Sequence, residues 1–98
     1  MADNDTNGHI EALVRTFKAI ADPTRLRMLY ALLEREQRVG ELALAVGMSD
    51  SATSHQLRHL RALRIVQARK EGRTVHYRID DDHIRDLLVQ ALEHQRHH

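Results

Sequence analysis

Four residues near the C-terminus have metal-ligand chemistry. Asp81 and His83 stand at one end of an amphipathic run, and His94 and His97 at the other. Imidazole nitrogen and carboxylate oxygen in a set of four suit zinc, and cobalt after it. His83 and His94 are 11 residues apart. At about 100° per residue that is close to three helical turns, so both point the same way. Along the axis they are separated by roughly 16 Å, while a metal–nitrogen bond is about 2 Å, so one helix cannot bring both ends to one ion. Two copies running antiparallel can, each placing its Asp81 and His83 beside the partner's His94 and the partner's His97. The spacing therefore predicts a metal, a dimer and a symmetric helix pair together. Four protein ligands leave no open position for a water, which argues against a hydrolytic zinc enzyme. No nucleophile–base arrangement or phosphate-cradling glycine loop argues for one either.

A second constellation is basic. Arg58, Arg61, Arg64, Arg69, Lys70, Arg73 and Arg78 crowd one stretch of a chain whose net charge is only +1. A local basic face on a near-neutral protein is the footprint of a nucleic-acid binder. Aromatic residues do not interleave with these charges, which disfavours stacking on single strands. Upstream lies Ser51-Ala52-Thr53-Ser54-His55-Gln56-Leu57-Arg58. A first turn of small, hydrogen-bonding residues lets a helix enter the B-DNA major groove by its N-terminal end. Ser51, Thr53, Ser54, His55 and Arg58 can meet phosphates or bases, and Gln56 can pair with an adenine edge. Arg69, Lys70 and Arg73 are placed to neutralise phosphates, adding affinity and salt dependence rather than sequence choice.

The elements that position these residues are legible in outline. Residues 1–8 lack an apolar pattern and read as a loose tail, leaving 9–98 as a single domain. Ile10, Leu13, Val14, Phe17, Ile20 and Ala21 recur at helical spacing, so residues 9–20 read as an amphipathic helix. Asp22-Pro23 is a helix start that leads to about Glu34. Glu36-Gln37-Arg38 reads as a connector. A short helix spans Glu41 to Val46, Gly47 ends it, and Ser49 or Asp50 caps a longer one to about Leu63. Two helices joined by a short glycine-containing turn make a helix-turn-helix. Val66, Ala68 and Lys70, then Val75, Tyr77 and Ile79, alternate around Glu71-Gly72-Arg73 as a β-hairpin. The final helix runs from about Asp81 to His97, with Ile84, Leu87, Leu88, Ala91 and Leu92 as its apolar stripe. The fold class is mainly α with a β-hairpin wing, a winged helix-turn-helix that pairs as a homodimer.

Composition narrows the function. The 98 residues contain no cysteine, which excludes disulfides and thiolate metal sites. A chain this small has a limited core, so burying one long helix face in a dimer is expected. No signal peptide or membrane span is legible, and a cytoplasmic location without membrane contact is expected.

Taken in order along the chain, these strings resemble the ArsR/SmtB family of metal-sensing repressors. The resemblance covers nearly the whole chain. It rests on Phe17-Lys18-Ala19-Ile20-Ala21-Asp22-Pro23-Thr24-Arg25-Leu26-Arg27-Met28-Leu29 and on Ser54-His55-Gln56-Leu57, with the hairpin behind them. It implies a homodimer that binds an inverted-repeat DNA operator and is released by its inducer. Ser51, Ser54, His55 and Gln56 fall where that family's recognition helix meets DNA. Asp81, His83, His94 and His97 match the family's C-terminal-helix metal motif in type and spacing. Members with that motif are mostly zinc sensors, some cobalt or nickel sensors, so Zn(II) is the implied regulatory ligand, with Co(II) or Ni(II) next. A nickel sensor would recruit more than four ligands. His9 could supply one, although a lone histidine near a loose end is ordinarily solvated. His59 and His76 read as surface or groove residues and His98 as a frayed end. In relatives the second ring nitrogen of the residue matching His94 meets a backbone carbonyl at the end of the recognition helix, here that of Arg64. Many members also carry a cysteine-based site near the helix-turn-helix. Here the comparable stretch is Glu36-Gln37-Arg38-Val39, with Arg38 at the cysteine position. Thiolate sensing of arsenic, antimony, cadmium or lead is therefore not expected. The competing expectation is a winged-helix DNA-binding regulator with no metal role.

Overall fold

The computed structural model describes residues 4–97. Eight elements follow one another: α1 (Asn4–Ile20), α2 (Pro23–Glu34), β1 (Gln37–Arg38), α3 (Val39–Val46), α4 (Asp50–Ala62), β2 (Val66–Glu71), β3 (Thr74–Ile79) and α5 (Asp82–Arg96). Helix-start chemistry sets most boundaries. Asp22 caps α2 by accepting the backbone N–H of Arg25 at 2.9 Å, with Pro23 in the first turn where no donor is missed. Ser49 caps α4 through its Oγ, which accepts the N–H of Ala52 at 3.0 Å. Gly47 ends α3 in the left-handed region, at φ 69°, and its N–H reaches back to the carbonyls of Ala43 and Leu44. The α3–α4 pair is the expected helix-turn-helix.

The hairpin pairs β2 with β3 from Val66↔Ile79 to Glu71↔Thr74. Its two-residue turn is Gly72-Arg73, and Gly72 supplies the positive φ that a tight hairpin needs. The sheet has a third strand. β1 pairs antiparallel with β3, Gln37↔Tyr77 and Arg38↔His76, giving the order β1-β3-β2. The stretch expected as a connector is therefore a strand. Gln37 is buried within it and donates to the carbonyl of Ala31 at 2.8 Å, so its amide is satisfied. Two further boundaries differ from expectation. α1 begins at Asn4 rather than residue 9, and α3 begins at Val39 rather than Glu41. Glu41 explains the second: its carboxylate turns back onto the N–H of Arg38 at 2.9 Å and so holds the first turn.

One core joins the elements. Met28, Leu29 and Leu32 of α2 meet Leu42 of α3, Leu57 and Leu60 of α4, Ile65 and Val66 at the wing base, and Leu88 of α5. Two polar ties dock α5. Tyr30 donates its hydroxyl to the carbonyl of Leu88 at 2.7 Å, and Arg85 donates to that of Leu33 at 3.0 Å. Burial pushes the Tyr30 phenol above its ordinary pKa, with Arg96 opposing. Of the apolar stripe expected on α5, only Leu88 is buried. Leu87 and Val89 remain exposed, as do Ile10, Leu13, Val14 and Phe17 on α1. Phe17, Ile20, Leu26, Tyr30, Leu88 and Leu92 line an apolar groove of about 450 Å³ between these helices. Among the described residues no helix is long and apolar enough to cross a membrane.

Candidate nucleic-acid interface and metal half-sites

Helix α4 divides into faces that decide which residues can read DNA. Thr53, Leu57 and Leu60 recur at i, i+4 and i+7, and all three are fully buried. Thr53 is thus removed from the expected DNA contacts. It belongs to the core stripe, and its Oγ1 has no hydrogen-bond partner. The opposite face is open: Ser51, His55 and Arg58 are exposed, with Ser54 and Gln56 half-buried at its edges. That face presents hydroxyls, an imidazole and a guanidinium on one helix next to a basic hairpin.

Gln56 is not free to swing. Its Oε1 accepts a hydrogen bond from the Arg25 guanidinium at 3.2 Å. The Nε of Arg25 in turn donates to the carbonyl of Ala19 at the end of α1. Arg25 therefore ties the α1–α2 corner to the recognition helix and orients the Gln56 amide. This positioning residue was missed from sequence, because its partner lies 31 residues away and no periodicity links the two.

The wing carries less free positive charge than its sequence suggests. Arg69 donates to Glu36 on the α2–β1 connector and, at 2.7 Å, to Glu71. These bonds push the Arg69 pKa further up and hold Glu36 and Glu71 below the ordinary carboxylate range. Lys70 and Arg73 are exposed, and neither has a carboxylate within 4.0 Å among the described residues. Arg78 on β3 is likewise without a carboxylate partner among the described residues, but it is held by the Gln67 amide at 2.8 Å, which leaves Lys70 and Arg73 as the unengaged cations near the hairpin tip. Arg38 pairs with Glu41, as does Arg35 at 3.2 Å.

The four expected metal ligands form two pairs at opposite ends of α5. Asp81 is the N-cap, its Oδ1 accepting the N–H of Ile84 at 3.0 Å while Oδ2 lies 3.5 Å from His83 Nδ1. The backbone bond from Ile84 is the main reason the Asp81 carboxyl is held below its ordinary pKa, with His83 adding to it. At the other end His97 is the C-cap, its Nε2 3.2 Å from Glu93 Oε2, and His94 sits one turn before it. His83 and His94 are exposed. Among the described residues of one chain, no three His, Asp or Glu side chains converge on a common point. The donor types fit zinc, and the placement brings together two ligands per end rather than four. His9 is exposed on α1, and His98 lies outside the described residues.

The helix-turn-helix, the three-stranded wing and the open face of α4 define a winged helix-turn-helix domain. The chain belongs to a family of bacterial regulatory proteins, the arsR family, whose model matches residues 22–68. It is 43% identical over 84 residues to the transcriptional repressor SmtB homolog of Synechocystis sp., covering 86% of this chain and 64% of that one. It is 41% identical over 85 residues to the cadmium resistance regulatory protein CadC homolog of Staphylococcus aureus, covering 86% and 70%. The chain thus spans about two thirds of the length of these curated relatives. Among solved structures, a homodimeric winged helix-turn-helix DNA-binding domain from Mycobacterium bovis superimposes with a TM-score of 0.87. That match has 32% identity and covers 99% of this chain and 94% of the other. Similar identity to an SmtB homolog and to a cadmium resistance regulator means that overall likeness does not choose the metal.

Proposed function

We propose that this chain is a metal-responsive transcriptional repressor rather than an enzyme. It binds an inverted-repeat DNA operator as a homodimer and is released when Zn(II), or Co(II), bridges the C-terminal helices. Ser51, Ser54, His55, Gln56 and Arg58 meet the major groove, and Lys70 and Arg73 meet phosphate, with Arg69 shared between phosphate and its two carboxylates. Asp81, His83, the partner's His94 and the partner's His97 hold the ion. The carrying observation is the division of these ligand types between the two ends of α5, with no complete set among the described residues of one chain. The exposed apolar residues of α1 and α5 support the dimer, since a partner covering them removes a patch that a monomer would leave in water.

Release follows from differential affinity. The metal-free dimer holds its two recognition helices one DNA turn apart, about 34 Å, and fits successive major grooves. Metal favours a dimer shape with a poorer fit, and by linkage DNA weakens metal binding by the same factor. His94 is the proposed relay to the carbonyl of Arg64, which sits in the α4–β2 turn at φ 59°. The test is binding of an operator fragment, obtained by in vitro selection, with and without Zn(II), Co(II) and Ni(II), for the native chain and His83→Ala. An unchanged metal response in His83→Ala places sensing elsewhere. Full zinc-driven release by His94→Gln removes the relay. The second reading, a DNA-binding regulator with no metal role, draws on the capping bond of Asp81 and the Glu93–His97 pair, which ordinary helix ends also carry. Zinc titration decides between them, because absence of binding near one ion per chain leaves only the second.

A further inference from the structure

Beside the recognition helix, on the flank away from the wing, lies a cavity of about 300 Å³ lined by Arg15, Lys18, Ala19, Arg25, His59 and Leu63. Three cationic side chains and one imidazole, drawn from α1, α2 and α4, share it without an acidic lining residue. Among the described residues none of the four is ion-paired to a carboxylate within 4.0 Å. The Arg25 guanidinium is held there by neutral acceptors, the Ala19 carbonyl and the Gln56 amide. Like charges gathered around one cavity repel, and an anion seated among them relieves that repulsion.

The placement selects the anion. His59 and Arg61 are two residues apart and so about 160° apart around the α4 axis. Arg61 borders β2, where it lines a depression with Arg64, Val66, Gln67, Ala68 and Asp80. His59 borders the cavity. A recognition helix in the major groove is flanked by one phosphate strand on each side. The wing can meet only one of them. We propose that the Arg15–Lys18–Arg25–His59 cavity seats a DNA backbone phosphate on the other strand, so that the helix is gripped from both sides. The proposal rests on the DNA-binding reading above. It is compatible with dimerisation: Arg15 and Lys18 lie about 150° and 90° around α1 from the centre of the Ile10, Leu13, Val14 and Phe17 stripe, so a partner on that stripe leaves the cavity open.

The experiment measures DNA binding across a salt series for the native chain, Arg15→Gln/Lys18→Gln and Lys18→Glu. Two labelled duplexes are used, the selected operator and one of arbitrary sequence. Both altered residues are exposed, and equal melting temperatures and dimer sedimentation confirm intact variants. Each protomer loses one phosphate contact, so the dimer loses two, the slope of log K against log salt becomes shallower by about 1.8, and affinity falls several-fold for both duplexes alike. Lys18→Glu should lose more than the double variant. Native-like affinity and slope in both variants overturn the proposal. Inorganic phosphate alone is titrated in parallel by NMR. Shifts at Lys18 and His59 with no change in the DNA slopes would mean a free-anion site, which also overturns it. If the native chain binds neither duplex, the DNA-binding reading falls with it, and the two failures are thereby distinguished.

Discussion

The Arg25 guanidinium donates to Oε1 of Gln56 across 3.2 Å, joining the α1–α2 corner to the helix that faces DNA. A half-buried arginine holding two acceptors is a rigid fork, and a lysine cannot reproduce it. In the proposed complex Gln56 would enter the groove already aimed, one of its acceptor positions being taken by Arg25 rather than by solvent.

Replacing Arg25 with alanine should lower unfolding stability by about 2 kcal/mol, because charged hydrogen bonds of this kind are worth about 1.5–3 kcal/mol. Arg25→Lys should keep sequence-independent DNA affinity while relaxing the preference at one base position. Denaturant melts and base-substituted operators measure the two effects. Unrelaxed selectivity in Arg25→Lys would show that Gln56 does not depend on it.

Thr53→Val should raise stability by about 1 kcal/mol, since it removes a buried hydroxyl that has no partner and keeps nearly the same shape. Operator affinity should stay unchanged. A loss of affinity in a well-folded Thr53→Val chain would return Thr53 to the DNA face.

Acid should loosen the start of α3. The N–H of Arg38 and the guanidinium of Arg35 pull the Glu41 pKa from 4.5 down to about 2. A carboxyl depressed on folding contributes stability that is fully present above its unfolded value and is lost as pH falls from about 5 toward 2. Glu36 and Glu71 act in the same direction through Arg69. Denaturant midpoints over that range should decline less steeply in Glu41→Gln than in the native chain. Equal steepness would assign the acid loss to other groups.

Zinc binding should survive in mixtures of two disabled chains. Asp81→Ala/His83→Ala keeps the C-terminal pair, and His94→Ala/His97→Ala keeps the N-terminal pair. Each homodimer should bind no zinc, whereas the mixed dimer should regain one site of its two. Calorimetry on the mixture reads this directly, and zero recovery would mean that the ligands of one site come from one chain.

Local chemistry was readable from sequence, and long-range chemistry was not. Asp22, Ser49 and Gly47 mark their helix ends because capping acts within a few residues. The hairpin is equally local. The two-residue β1 has no alternation to detect, and its partner strand comes from the far end of the domain. The buried face of Thr53 was legible in the spacing with Leu57 and Leu60, but its hydroxyl suggested a groove contact instead. The neutralisation of Arg69 by Glu36 joins residues 33 apart. For the proposed metal site, residue types and spacing suggest two half-sites, while their union would require a second chain that no single sequence displays.

The proposed division of ligands between the two ends of α5 has a consequence for dose. A site completed only across two chains would bind its ion only in the associated form, so metal affinity and subunit association would be linked equilibria. Dilution then weakens zinc binding without altering any ligand, and zinc in turn opposes dissociation. The zinc concentration at which the proposed repressor responds is thus a joint property of imidazole chemistry and of how many copies are present, a gauge whose zero point moves with its own abundance.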